Sequence, residues 1–204
     1  PSSLDWQNGT HTIIRCLLQA MPPPNRTTPA SGPTASTGPR VLHFVSGGFS
    51  GATQVAIELC RASLQTQHQQ SLLVLRRKRH TPQAKVQALR DEEGLEVEVV
   101  PGWSHLATII SLVKLCRRWK PDIVVAHGFS EHLWGRYAAL WAGVPHTVMV
   151  EHNSRERYGI WRLMQARWLA ARTDRLVACS EGVKTRLLDL GMPDHRCITL
   201  DNGI

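Results

Sequence analysis

From residue 40 onward, short apolar runs alternate with longer amphipathic stretches, whereas residues 1–39 have no such pattern. The runs are rich in Val, Ile and Leu and bounded by turn residues or charges, as expected of strands buried on both faces of a parallel sheet. They predict strands at Val41–Ser46, Ser71–Leu75, Leu95–Val100, Ile123–Ala126, Thr147–Val150, Arg175–Ala178 and Cys197–Leu200. The intervals predict helices over Thr53–Leu64, Pro82–Glu93, Leu106–Trp119, Glu131–Ala142, Tyr158–Arg172 and Glu181–Leu190. In the first helix Val55, Leu59 and Ala62 share a stripe while Glu58 and Arg61 fall toward water. Pro82 opens the second helix and Gly94 closes it, and Gly191 and Pro193 close the last.

Strands and helices in this alternation specify an α/β fold, a doubly wound parallel sheet of Rossmann-like type with right-handed crossovers. Residues 1–39 instead hold an apolar stretch from Ile13 to Met21, a triple proline and a Pro, Ser, Thr and Gly tract. Such a composition builds no core. It is read as a leader and flexible linker ahead of a domain at 40–204, with Ile13 to Met21 as a loosely docked helix.

Charge and cysteine content narrow the function classes. Lys and Arg number 24 against 16 Asp and Glu, a formal +8 that favours anionic partners such as phosphates or acidic lipid. Cys16, Cys60, Cys116, Cys179 and Cys197 are odd in number, widely spaced and in apolar surroundings, which suggests reduced thiols rather than a disulfide framework or zinc site. No apolar run approaches the roughly 18 residues of a membrane span, and no secretory signal is seen, so a cytoplasmic protein is expected.

The sharpest local signal is Ser46-Gly-Gly-Phe-Ser-Gly-Ala-Thr53, directly after the first strand and opening the first helix. Glycines there let backbone approach a ligand, and unpaired N–H groups at a helix start favour a phosphate. A tight turn that binds nothing is the alternative. The loop is not the dinucleotide fingerprint: its glycines are Gly47, Gly48 and Gly51, and the second strand runs into Arg76-Arg-Lys-Arg79 rather than an acidic residue. NAD is disfavoured, an NADP-linked oxidoreductase remains through the arginines, and the lack of a Walker lysine argues against an ATPase. Nucleic-acid binding through Arg76–Arg79 is a further, less favoured reading.

His127 and His152, with Glu151, follow the fourth and fifth strands, where ligands bind in open α/β sheets. A histidine there can move a proton near neutral pH or hold a hydroxyl, with Glu151 orienting it or acting as base. His127, His132 and His152 lack helical i, i+4 pairing and cysteine partners, so no metal site is expected. Trp134, Trp141, Trp161 and Trp168 form two pairs one heptad apart, which is read as core or half-buried packing. Arg155, Arg157, Arg162, Arg167 and Arg172 lie around Trp161 and Trp168, which also suits an anionic membrane surface.

Taken together, the glycine loop, Val150-Glu-His-Asn153, Thr173-Asp-Arg-Leu-Val-Ala-Cys-Ser-Glu-Gly-Val183 and Leu200-Asp-Asn-Gly-Ile204 resemble the N-terminal domain of GT-B glycosyltransferases of the family-4 type. The resemblance runs from Arg40 to Ile204 and implies one half of a GT-B architecture, the acceptor-side domain of a hexosyltransferase-like enzyme. It implies Gly47, Gly48 and Gly51 at the donor's phosphates. His127, His152 and Glu151 then stand near the reacting sugar and acceptor, and Asn153, Ser180 and Asn202 along the cleft. It also implies a UDP- or GDP-linked sugar as substrate, no cofactor or metal, and a glycan or lipid-linked acceptor in polysaccharide or lipopolysaccharide biosynthesis. Peripheral contact with the inner membrane face follows the same pattern, and no nucleic acid is expected. The donor-binding domain lies outside this chain, so the chain alone is expected to be inactive. The alternative is a non-catalytic nucleotide or glycan binding module.

Overall fold

A computed structural model of the chain describes residues 38–66, 69–128, 131–153 and 158–200. The leader, Cys16 and Asn202 lie outside the described residues, as do Arg155 and Arg157. The strands are β1 (Arg40–Ser46), β2 (Gln70–Arg76), β3 (Glu96–Val100), β4 (Ile123–His127), β5 (His146–Glu151), β6 (Arg175–Ala178) and β7 (Cys197–Thr199). The helices between them are α1 (Gly51–Thr66), α2 (Gln83–Asp91), α3 (His105–Trp119), α4 (Glu131–Ala142), α5 (Ile160–Ala170) and α6 (Glu181–Asp189). All pairings are parallel, in the order β3-β2-β1-β4-β5-β6-β7. The doubly wound Rossmann-like sheet expected from the sequence is therefore the fold.

Because side chains alternate across a strand, each strand feeds two cores. Leu42, Phe44, Leu72, Val74 and Val124 pack against α3 and α4, and Met149, Leu176 and Ala178 against α5 and α6. On the opposite face Val45, Leu73 and Leu75 meet Ile57 and Cys60 of α1 and Val86 and Leu89 of α2. The contact between α4 and the sheet is close: a Cβ at Gly135 would lie 2.8 Å from Ala126 Cβ and 2.9 Å from Phe44 Cδ1. That approach brings the first turn of α4 down to the ends of β4 and β5.

Two local expectations need correction. In α1 the buried set is Thr53, Val55, Ala56, Ile57, Leu59, Cys60 and Ser63, while Ala62 is only half-buried, because the helix leans on both β1 and β2. Glu58 and Arg61 fall on the solvent side as expected, where Arg61 forks onto both oxygens of Glu93, at 2.6 Å each, and also grips Glu58. The tryptophans of the two heptad pairs are not core residues except for half-buried Trp134; Trp141, Trp161 and Trp168 are 51%, 77% and 45% exposed. Heptad spacing puts two residues on one helix face without saying which face, and α5 turns Ala166, Leu169 and Ala170 inward instead.

Candidate functional site

The chain leaves β1 toward β2 on one side of the sheet and leaves β4 toward β5 on the other, although β1 and β4 are neighbours. Such a switch point opens a crevice beyond the carboxyl ends of the two strands. The glycine loop after β1 and the turn after β4 face each other across it. Gly128 holds a left-handed φ of 77°, donates its N–H to Val150 O at 3.0 Å, and would bring a Cβ to 3.8 Å from Ala52 Cβ of α1.

The three glycines of the loop do different things. Gly47 is buried and donates its N–H to Arg76 O at 2.8 Å; a Cβ there would stand 2.6 Å from that oxygen and 2.8 Å from Thr81 Oγ1. It fastens the loop to β2. Gly48 and Gly51 are exposed, the first with Ser46 Oγ as nearest neighbour to its would-be Cβ at 3.6 Å, the second with nothing within 4 Å. Between them Phe49 takes a φ of 52°, uncommon for a bulky residue and a mark of a constrained turn. Thr53 Oγ1 donates to Ser46 O at 2.8 Å, and Ser50 O accepts the N–H groups of Thr53 and Gln54.

Behind the crevice stands a row of imidazoles. His43 of β1 and His127 of β4 project from the same sheet face, with His43 Nδ1 and His127 Nε2 3.2 Å apart. His127 Nδ1 is in turn 3.3 Å from Nε2 of His152, which follows β5. His43 and His127 are buried and His152 is half-buried. Burial pushes His43 and His152 down to about 4, and burial with two imidazole neighbours holds His127 well below the usual histidine range. All three rings are neutral at physiological pH.

Glu151 points to the other face of the sheet and into a second network. Its Oε1 accepts from the backbone N–H of His152 at 3.1 Å and of Asn153 at 3.4 Å, and its Oε2 from Tyr158 Oη at 3.4 Å. Tyr158 Oη lies 2.8 Å from His132 Nε2, and His132 Nδ1 lies 2.7 Å from an amino group of Arg136. A guanidinium only donates, so His132 accepts at Nδ1, carries its proton on Nε2 and passes the direction on to Tyr158 and Glu151. Burial, reinforced by Arg136, holds His132 well below its ordinary value. Burial also lowers the Arg136 guanidinium to about 10, while Thr173 Oγ1 and His132 O take its other hydrogen bonds. The loop that carries His152 is thus pinned by a carboxylate buried to 3% exposure.

Gly48 and Gly51 follow β1, His127 ends the neighbouring β4 and His152 follows β5, all at the carboxyl edge of the sheet, with Gly47 fastened to β2 and Glu151 holding the start of the His152 loop. Asn153 is exposed beside His152. Ser180 serves as the N-cap of α6, its Oγ accepting from Val183 N at 3.3 Å, one strand further along the sheet edge. His43, Arg136 and Tyr158 were not anticipated, and His132 was weighed only as a metal ligand. The available signals were a histidine interrupting the apolar run Val41–Val45 and an arginine one helical turn after His132. Arg76 is buried, 3.0 Å from His105 Nδ1 and 3.5 Å from Glu131 Oε1, which commits it to the fold rather than to a cofactor phosphate. Among the described residues no three His, Cys, Asp or Glu side chains group as metal ligands. No helix among them is long and apolar enough to cross a membrane.

Solved structures share this fold. Anabaena Alr3699/HepE in complex with UDP superposes with a TM-score of 0.65 at 18% identity, over 81% of this chain and 44% of that one. A glycosyltransferase from Rickettsia africae gives 0.65 at 15% identity over 82% and 44%, and the UDP-GlcNAc 2-epimerase of Neisseria meningitidis bound to UDP-GlcNAc gives 0.56 at 17% over 78% and 46%. The chain therefore spans under half the length of these structures. No curated protein matches it. The model of Glycosyltransferase Family 4 matches residues 49–204, from the glycine loop through every later strand of the sheet, and the chain belongs to that family.

Proposed function

We propose that the chain is the acceptor-side half of a GT-B glycosyltransferase that moves a sugar from a UDP- or GDP-linked donor to a glycan or lipid-linked acceptor. One observation supports the reading: the exposed glycines Gly48 and Gly51 follow β1 beside the turn that ends the neighbouring β4, where His127 is linked to His152. Backbone N–H groups held in place at a loop stabilise the charge that develops on a departing nucleoside diphosphate, and the sugar passes through an oxocarbenium-like state. The nucleotide sugar is substrate, and the reading assigns no cofactor. The remainder of the cleft is assigned to a donor-binding domain, so this chain is expected to bind rather than to transfer. The UDP held by HepE in a related fold makes UDP the first ligand to try. The commitment of Arg76 to Glu131 and His105 counts against the NADP alternative.

Calorimetry and thermal shift with UDP, GDP, their sugars and NADPH test this. A specific response to a nucleoside diphosphate or its sugar supports the reading, and a response to NADPH alone overturns it. Peripheral attachment to an anionic membrane is proposed with it. Ile160, Trp161, Met164 and Trp168 form an exposed stripe on α5, and the Arg172 guanidinium lies 3.9 Å over the Trp168 ring. Apolar anchors beside cations suit such an interface. Co-sedimentation with phosphatidylglycerol vesicles that survives Trp161→Glu would remove this surface from consideration.

A further inference from the structure

We infer that His43 is a positioning residue of this site: through His127 it fixes His152 as a hydrogen-bond donor, its Nδ1–H presented to a ligand oxygen. The identity of that ligand rests on the function proposed above, but the proton arrangement does not.

A neutral imidazole donates from one nitrogen and accepts at the other. In a row joined Nδ1 to Nε2 twice, only two arrangements satisfy both links: the proton sits on Nδ1 of all three rings, or on Nε2 of all three. His43 decides between them. Its Nε2 is buried and has no hydrogen-bond partner. In the Nε2 arrangement a polar N–H would be sealed in the core without an acceptor, whereas in the Nδ1 arrangement only a lone pair stands there. An orphaned buried N–H is the rarer and costlier defect. The rings' neutrality matters too, because a fourth proton in the row would put an N–H on both outer nitrogens, His43 Nε2 and His152 Nδ1, and remove the choice of direction.

The Nδ1 arrangement has a consequence at the crevice. His152 Nε2 is occupied in accepting from His127, so the nitrogen left for a ligand is Nδ1, which has no partner among the described residues and carries the proton. The ring donates to a hydroxyl or phosphate oxygen and does not act as a base. His127, buried with both nitrogens engaged, transmits this orientation and touches no ligand. The neighbouring His132 is set the opposite way, with its proton on Nε2, because Arg136 donates to its Nδ1.

Long-range proton–nitrogen correlation spectra of the full chain, labelled with nitrogen-15, read which ring nitrogen bears the proton; His152→Gln identifies the His152 signals. The expected result is Nδ1–H at His127 and His152 and Nε2–H at His132. With His43→Met the constraint is lost, and His127 and His152 shift to a mixture with the Nε2–H form. Nε2–H at His152 in the wild type overturns the inference even if His43→Met does not fold, as does a His43→Met spectrum with unchanged His152 tautomer. Correct tautomers in a chain that calorimetry finds indifferent to every nucleotide sugar tell against the proposed function and leave the role of His43 standing.

Discussion

The two faces of the sheet hold the site by different means. On one, His43, His127 and His152 form a neutral row with no charged residue in it; on the other, Arg136, His132, Tyr158 and Glu151 run from a buried cation to a buried carboxylate. The charged chain takes its direction from a residue that can only donate, and the neutral row takes its direction from a nitrogen that has nothing to bond. Charge supplies direction at the cost of desolvation, while the neutral row is inexpensive to bury yet has one weak determinant, the buried Nε2 of His43. The contrast is sharpest in what breaks each side.

Acid should break both at once, and by the largest amount. For a histidine held neutral, the unfolded state binds the extra proton, so stability is complete above the unfolded value of 6.5 and is lost as pH falls toward the folded value. For His43 and His152 that window runs from 6.5 to about 4. Each removes about 1.4 kcal/mol per pH unit across it, roughly 3 kcal/mol in all. His127 and His132, lowered in the same direction, add to the slope. Urea midpoints taken from pH 7 to pH 4 should therefore fall steeply, and His43→Leu should flatten the curve; a flat wild-type curve would mean that these rings are not held neutral.

Arg136→Met breaks only the charged side. It leaves Glu151 buried without its balancing cation and removes the donor to His132 Nδ1, a loss of about 3 kcal/mol in denaturant unfolding. The neutral row should keep its tautomers. If Arg136→Met leaves stability unchanged, the cation is not what holds this face.

The sequence made the sheet legible to within a residue at nearly every strand end, because parallel strands buried on both faces read as uninterrupted apolar runs. His127 and His152 were legible as partners because they end neighbouring strands. Two things were not. His43 lies in the middle of a strand, and nothing local says that its same-face neighbour across the sheet is another imidazole. Gly47 and Gly48 look alike in the chain, yet one faces Arg76 O and the other open space, which depends on where β2 ends relative to β1.

Gly135→Ala tests whether α4 carries the charged chain as a rigid body. The added Cβ meets Ala126 and Phe44 at under 3 Å, so α4 must lift from the sheet and draw His132 away from Tyr158. Overpacking of this kind costs about 1–2 kcal/mol after the gain in helix propensity. His43, on the opposite sheet face, should not respond.

Gly48→Ala should have the smallest effect on the fold and is the most direct test of the crevice. The nearest protein atom to its new methyl group is Ser46 Oγ at 3.6 Å, and Gly48 is exposed, so the thermal midpoint should move by less than about 0.5 kcal/mol equivalent. Gly47→Ala, at the preceding position of the same loop, is the control: its methyl group collides with Arg76 O, and the fold should weaken. If the open glycine lets a donor phosphate approach the loop backbone, Gly48→Ala keeps the fold and weakens nucleoside diphosphate binding about tenfold, the equivalent of about 1.4 kcal/mol. Unchanged binding in a folded Gly48→Ala protein would take the phosphate away from this loop and leave His152 as the crevice's one remaining ligand contact.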